Sequence, residues 1–214
     1  MKYGIIFDMD GTLWDSAENV AKAWTEIVKK EYPKRGDITT EQIEGVMGLT
    51  MVRIAEELFG DIEDTDKRMK LLNDCCNYEN EYLSIHGGNL YDGLEDTLKK
   101  LSESFNLYIV SNCQSGYIEA FLEYYGFSKY FSDIECFGNN GFEKGDNIKL
   151  LAERNNLEDA VYVGDIQGDY DATMKAGYKF IHAKYGFGSI NAEVPFINSI
   201  KDLNEEIVNK TLGI

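Results

Sequence analysis

Proline is scarce in this chain, with two residues in 214, and no Gly/Ser-rich or low-complexity stretch interrupts it. That leaves no obvious flexible linker, so the length reads as one domain or one domain carrying a sizeable insertion. Positive charge is also short. Lys+Arg number 21 against 38 Asp+Glu, a formal net charge of −17. A surface that negative repels phosphate backbones and anionic lipid, which argues against nucleic acid and membrane partners. No apolar run approaches the length of a membrane span, and Met1-Lys2-Tyr3-Gly4 leads straight into a short strand rather than a signal peptide, so a cytoplasmic location is expected. Cysteine is limited to the adjacent Cys75 and Cys76 and the isolated Cys113 and Cys136, with no C-x-x-C pair. Reduced thiols, partly in the core, are expected rather than disulfides or a zinc site.

What is present is ordinary globular composition, 43% hydrophobic and 28% charged, enough to bury a core without staples. Short apolar strands alternate with amphipathic helices, the pattern of a parallel α/β sheet. Tyr3–Phe7, Leu107–Val110, Asp133–Phe137, Ala160–Val163 and Lys179–Ala183 read as strands. Three of them run directly into polar groups, at Asp8, Ser111 and Gly164-Asp165. Ligands of open parallel sheets bind beyond the carboxyl ends of the strands, so these ends suggest one site.

Between the first two strands lies a block that reads as helices only, from Ala17, Val20, Ala21 and Trp24 through Ile54 and Phe59 to a long segment over about 66–84. Such a block is better read as an inserted subdomain than as a single crossover. The expected division is an α/β core over 1–15 and 89–214 with a helical cap over 16–88. Gly87-Gly88 and the turn after Gly11 are the expected hinges.

Four clusters carry chemistry: Asp8-Met9-Asp10-Gly11-Thr12-Leu13, Ser111-Asn112, Lys144, and Gly164-Asp165-Ile166-Gln167-Gly168-Asp169. Each is placed at a strand end or in a loop beyond one. Four carboxylates (Asp8, Asp10, Asp165, Asp169) on one site would repel one another and any phosphate, and Mg²⁺ with its preference for oxygen ligands is the natural counterweight. Lys144 adds a second positive charge, and Ser111 and Asn112 can hydrogen-bond phosphoryl oxygens. An aspartate nucleophile is ionised at neutral pH and can form an acyl phosphate, while a second carboxyl two residues on can protonate the leaving oxygen and then activate water.

In this order the four clusters resemble the haloacid dehalogenase superfamily of phosphohydrolases, and the resemblance covers nearly the whole chain. It implies a Rossmann-like core with an inserted helical cap, with Asp8 as nucleophile and Asp10 as general acid/base. It implies a metal held by the Asp8 side chain, the Asp10 backbone carbonyl and Asp165, with Asp169 in support directly or through water, and Ser111, Asn112 and Lys144 on the phosphoryl group. Asp10 favours phosphate chemistry over dehalogenation. The cap and the Asp-Gly-Thr-Leu-x-Asp-Ser run are similar to the phosphoglycolate phosphatase-like branch, which implies a phosphatase of a small phosphorylated metabolite. Pyrophosphate, sugar or nucleotide phosphates are alternative substrates, and a catalytically idle binding module is an alternative of another class. Departures from the branch are Gly145 in place of Pro, Asp92 in Tyr91-Asp92-Gly93, Ile166 in place of Ser or Thr, and Val20 where the related mutases carry His. Val20 argues against a mutase; the others leave substrate open. Oligomeric state, monomer or homodimer, is not fixed by the sequence.

Among weaker candidates, Arg53 reads equally as a cap residue reaching substrate or a solvated helix residue. Trp14 and Cys113 are expected to pack, and His86 and His182 to be structural or exposed. The aromatics of Tyr185-Gly186-Phe187-Gly188 are candidates for walling the site.

Overall fold

A computed structural model of the chain describes residues 2–214. Its first half comprises β1 (Tyr3–Phe7), β2 (Trp14–Asp15), α1 (Ala17–Glu31), α2 (Thr40–Glu44), α3 (Met51–Phe59), α4 (Thr65–His86) and β3 (Asn89–Leu90). There follow α5 (Leu94–Leu101), β4 (Asn106–Ser111), α6 (Tyr117–Tyr125), β5 (Phe131–Cys136), α7 (Phe137–Asn140) and α8 (Lys144–Arg154). The last elements are β6 (Asp159–Gly164), α9 (Gln167–Ala176), β7 (Lys179–Ala183), β8 (Phe196–Ile197) and α10 (Glu205–Leu212).

The main sheet runs in the order β5-β4-β1-β6-β7-β8, and every neighbouring pair is parallel. β1 therefore stands in the middle, with the chain crossing first to one side and later to the other. Its Ile5, Ile6 and Phe7 are each fully buried. Ile5 and Phe7 pack on one face and Ile6 on the other, which explains why β1 is a continuous apolar run rather than an alternating one. Burial of side chains of this kind stabilises by about 1.5–3 kcal/mol each. The central position of β1 carries its C-terminal end, and Asp8 beyond it, to the crevice where the strand order reverses.

β2 and β3 form a separate antiparallel pair, Trp14 opposite Leu90 and Asp15 opposite Asn89. The helical segment between them thus leaves and re-enters the sheet region at one place. Within it, α1 buries Ala17, Val20, Ala21, Trp24 and Val28 at helical spacing, and the Trp24 ring stacks on Phe59 of α3 with centroids 6.1 Å apart. The Asp64 side chain caps α4 by accepting from the backbone N–H of Asp66 and Lys67. Trp14 packs edge-on against Tyr117 and Phe121, in the core as expected. Among the described residues, no helix is long and apolar enough to cross a membrane.

Candidate functional site

The loop after β1 is a tight turn. The Leu13 N–H donates to the Met9 carbonyl at 2.8 Å, and the Gly11 N–H donates to the Trp14 carbonyl at 3.0 Å. Gly11 has φ +79°, and a Cβ there would lie 2.2 Å from Asp165 Oδ2, so both conformation and space demand glycine. This turn sets Asp8 and Asp10 facing the end of β6, where Asp165 and the first turn of α9 stand.

Asp8, Asp165 and Asp169 come together with carboxylate oxygens within 4.8 Å of one another, all buried. Lys144 joins them: its ammonium donates to Asp8 Oδ1 at 2.9 Å and to Asp169 Oδ1 at 2.6 Å. Sequence reading places Lys144 in a loop, whereas it is the first residue of α8, preceded by Glu143 in extended conformation. Only 4% exposed, it reaches the site along the helix start instead of from solvent. Burial by itself would lower the Lys144 pKa, but Asp169 and Asp8 beside it outweigh that and raise it.

The carboxylates divide their labour by hydrogen bonding. Asp169 Oδ2 accepts from the backbone N–H of Asp165 and Ile166 at 3.0 and 3.2 Å, so this side chain braces the strand-to-helix loop while its other oxygen holds Lys144. Asp165 Oδ2 accepts from the Phe187 N–H at 2.7 Å, but its Oδ1 is buried with no partner. Burial, then Asp169 and Asp8, push the Asp165 pKa well up. Burial and Asp169 likewise raise that of Asp8. Three clustered carboxylates against one ammonium, with one buried carboxylate oxygen unpartnered, make a donor set that suits a hard divalent cation.

Asp10 sits apart from that cluster. Its Oδ1 accepts from the Ser16 hydroxyl at 2.8 Å and the Tyr117 hydroxyl at 2.6 Å. Ser16 occupies the N-cap position of α1, yet its side chain makes no capping bond. The hydroxyl a helix start would ordinarily use is committed to Asp10 instead, a local rule broken at the site. Burial raises the Asp10 pKa to about 6, with the Tyr117 and Ser16 hydrogen bonds opposing. Neither hydroxyl was a candidate from sequence; the Asp15-Ser16 pair was the only trace of the first, and Tyr117 lies 107 positions from Asp10.

Ser111, at the end of β4, is buried and lines a cavity that Asp10, Asn112 and Tyr117 also face. Asn112 donates its amide to the Gly48 carbonyl at 2.9 Å, tying β4's end to the loop before α3. His182 is buried with Nε2 3.1 Å from the Asp165 carbonyl, and His86 is exposed against Tyr82. Arg53 is exposed and does not line the cavity, while Cys113 is buried. The Tyr185–Gly188 run does wall the site: the Tyr185 hydroxyl donates to the Thr12 carbonyl at 2.8 Å, and a Cβ on Gly186 would sit 2.3 Å from the Gly11 carbonyl.

The cavity is also lined by Glu79 of α4, 4% exposed, which accepts from the Trp24 indole N–H at 2.5 Å. Burial pushes its pKa from the ordinary 4.5 to about 8. Between those values the folded chain keeps a proton that the unfolded chain gives up. This carboxyl therefore stabilises the fold below pH about 4.5, and the contribution is lost as pH rises through about 8. From pH 6 to 8.5, urea unfolding of the wild type should lose about 2–3 kcal/mol more than that of Glu79→Gln. Parallel pH profiles for the two proteins would mean that Glu79 is already ionised at pH 6.

Residues 5–183 match the family model of the haloacid dehalogenase-like hydrolases. The phosphoglycolate phosphatase of Vibrio parahaemolyticus is 28% identical over 202 residues, covering 86% of this chain and 84% of that one. That of Aquifex aeolicus is 28% identical over 204 residues, covering 89% of each. Among solved structures, a predicted phosphatase from Clostridium acetobutylicum superposes with a TM-score of 0.78 at 24% identity, covering 97% of this chain and 98% of that one. A β-phosphoglucomutase from Clostridium difficile gives 0.76 at 18% identity, covering 100% and 98%. These two structures establish a shared fold.

Proposed function

The chain belongs to the haloacid dehalogenase-like hydrolase family, and from that premise we propose that it is a Mg²⁺-dependent phosphomonoester hydrolase of a small phosphorylated metabolite. In this reading it works through an aspartyl phosphate on Asp8, in the manner of the phosphoglycolate phosphatases it is similar to. The observation that carries the reading is the convergence of Asp8, Lys144, Asp165 and Asp169 in one buried cluster, with Asp10 two residues along the same loop and lining a cavity with Ser111.

The Asp8 carboxylate attacks phosphorus, and Lys144, already bonded to it, fixes its orientation and offsets charge on the phosphoryl oxygens. Ser111 and Asn112 bind those oxygens from the end of β4. Asp10, steered by Ser16 and Tyr117, protonates the departing alkoxide and then takes a proton from the water that attacks the aspartyl phosphate. A pKa near 6 suits a group that must both give and accept a proton near neutrality. Mg²⁺ would be held by Asp8, Asp165 and the Asp10 backbone carbonyl, with Asp169 in support, and supplies positive charge against which the phosphate dianion is bound. The segment 16–88 acts as the cap that closes over the substrate and excludes water.

Phosphate release from a panel of small phosphate esters tests this. Turnover should require Mg²⁺, vanish in EDTA and return on adding Mg²⁺; full turnover in chelator would sink the mechanism. A measurement independent of activity is thermal unfolding. Asp165→Asn removes a buried, half-partnered carboxyl whose ionisation burial disfavours, so in EDTA above pH about 8 it should melt higher than wild type, by an amount equivalent to about 1 kcal/mol. The rise in melting temperature that Mg²⁺ gives the wild type should shrink or disappear in the variant. An unchanged Mg²⁺ shift in Asp165→Asn would remove this residue from the metal site.

A further inference from the structure

We propose that the cavity between Asp10 and Glu79 is built for the alcohol part of a phosphate ester whose far end carries an ammonium group, and that Glu79 is the residue selecting it. This rests on the hydrolase reading above and names the substrate class of that same site: phosphate monoesters of short amino alcohols. Asp10 and Ser111, beside which the phosphoryl group binds in that reading, line the cavity together with Glu79 of α4. About 50 Å³ of it is open to the centre of a water molecule, room for a short chain and not for a sugar ring without opening. Its sides are apolar, from Val20, Met47, Leu49, Met51 and Ile54.

The charge inventory decides what end group fits. No lysine, arginine or histidine lines the cavity among the described residues. Lys144 is already paired with Asp8 and Asp169, and Arg53 is exposed away from it. A substrate carboxylate here has no cation to pair it and meets at most the proton held on Glu79, one hydrogen bond that leaves its charge buried and unneutralised, which is strongly unfavourable. An ammonium reverses each term. It can donate to the Glu79 carboxylate, and the aromatic side chains of Trp24 and Tyr117 line the same cavity. The proton that burial holds on Glu79 in the empty cavity is what such a cation would replace. A net charge of −17 further favours the approach of a ligand with a positive end.

Three esters of matched length test the assignment: phosphoethanolamine, ethylene glycol monophosphate and phosphoglycolate, ending in ammonium, hydroxyl and carboxylate. With Mg²⁺, wild-type kcat/KM should fall in that order, at least tenfold from first to last. Glu79→Gln keeps the side-chain shape and an acceptor for the Trp24 indole but removes the charge, and should reduce the ratio of first to last by tenfold or more. A wild-type preference for phosphoglycolate or for the glycol ester overturns the proposal, as does an unchanged ratio in Glu79→Gln. Should the variant fail to fold, the wild-type ranking decides alone. An aryl phosphate separates the two levels of the argument. If it is hydrolysed while all three esters are inert, the substrate class is wrong and the hydrolase reading stands. If it too is inert with Mg²⁺, the hydrolase reading fails and this inference falls with it.

Discussion

Replacing Asp8 with asparagine is expected to lower phosphate release by roughly 10⁴-fold or more, about 5.5 kcal/mol of barrier, for every substrate. A neutral amide cannot form the acyl phosphate, and Asp8 stands alone as the carboxylate that meets Lys144 at the end of β1. The loss should not come from unfolding. Asparagine has nearly the shape of aspartate, and the exchange removes one of three carboxylates whose burial, together with their mutual repulsion, raises the Asp8 and Asp165 pKa values. Melting in EDTA should therefore be at or above the wild-type temperature, provided the amide oxygen keeps the Lys144 ammonium as partner. Retention of more than about one per cent of wild-type turnover, about two orders of magnitude above the expected residual activity, would show that Asp8 is not the nucleophile.

That separation of activity from stability is visible in how the sequence encodes the site. β1 is legible because both its faces are covered, so Ile5, Ile6 and Phe7 form an unbroken apolar run that ends at a charge. β4 and β6 lie within one residue of their expected ends for the same reason, and the edge strand β5 lies within two although its pattern is mixed. The carboxylates were legible as charges placed after strands, and Lys144 only through its place in the order of the four clusters that carries the resemblance. The short pairs were not. β2 and β3 have two residues each and β8 two more, too few for any periodicity to register. Ser16 and Tyr117 were hidden differently: a serine before a helix reads as a cap and a tyrosine in an amphipathic helix reads as core, and both are true of their positions. Only the fold brings their hydroxyls within 2.7 Å of each other over Asp10. Glu79 did leave a signal. It falls on the buried stripe of α4 with Leu72, Cys75, Cys76 and Leu83, at helical spacing, so a charge interrupts an apolar face.

The division of roles between Asp8 and Asp10 gives the most informative single variant, Asp10→Asn. The nucleophile, Lys144 and the clustered carboxylates stay in place, and the Ser16 and Tyr117 hydroxyls can still donate to the amide oxygen, so the pocket should keep its shape. What is lost is a proton donor and base, typically worth 10²–10⁴-fold, roughly 3–5.5 kcal/mol. The two chemical steps feel that loss unequally. An aryl phosphate has a leaving group that needs little protonation, so attack by Asp8 should proceed at a measurable rate. Hydrolysis of the aspartyl phosphate still needs a base to activate water, so the phosphorylated chain should accumulate. The expected result is a burst of phenol near one equivalent of enzyme, then slow turnover, with a mass increase of one phosphoryl group located at Asp8. With an alkyl ester the burst should disappear, because the poor leaving group makes the first step slow as well. If the first step is measurable and neither burst nor adduct forms, Asp10 is not the base for hydrolysis. A phosphoryl group found on any residue other than Asp8 overturns the nucleophile assignment, and with it the roles drawn from the geometry around β1.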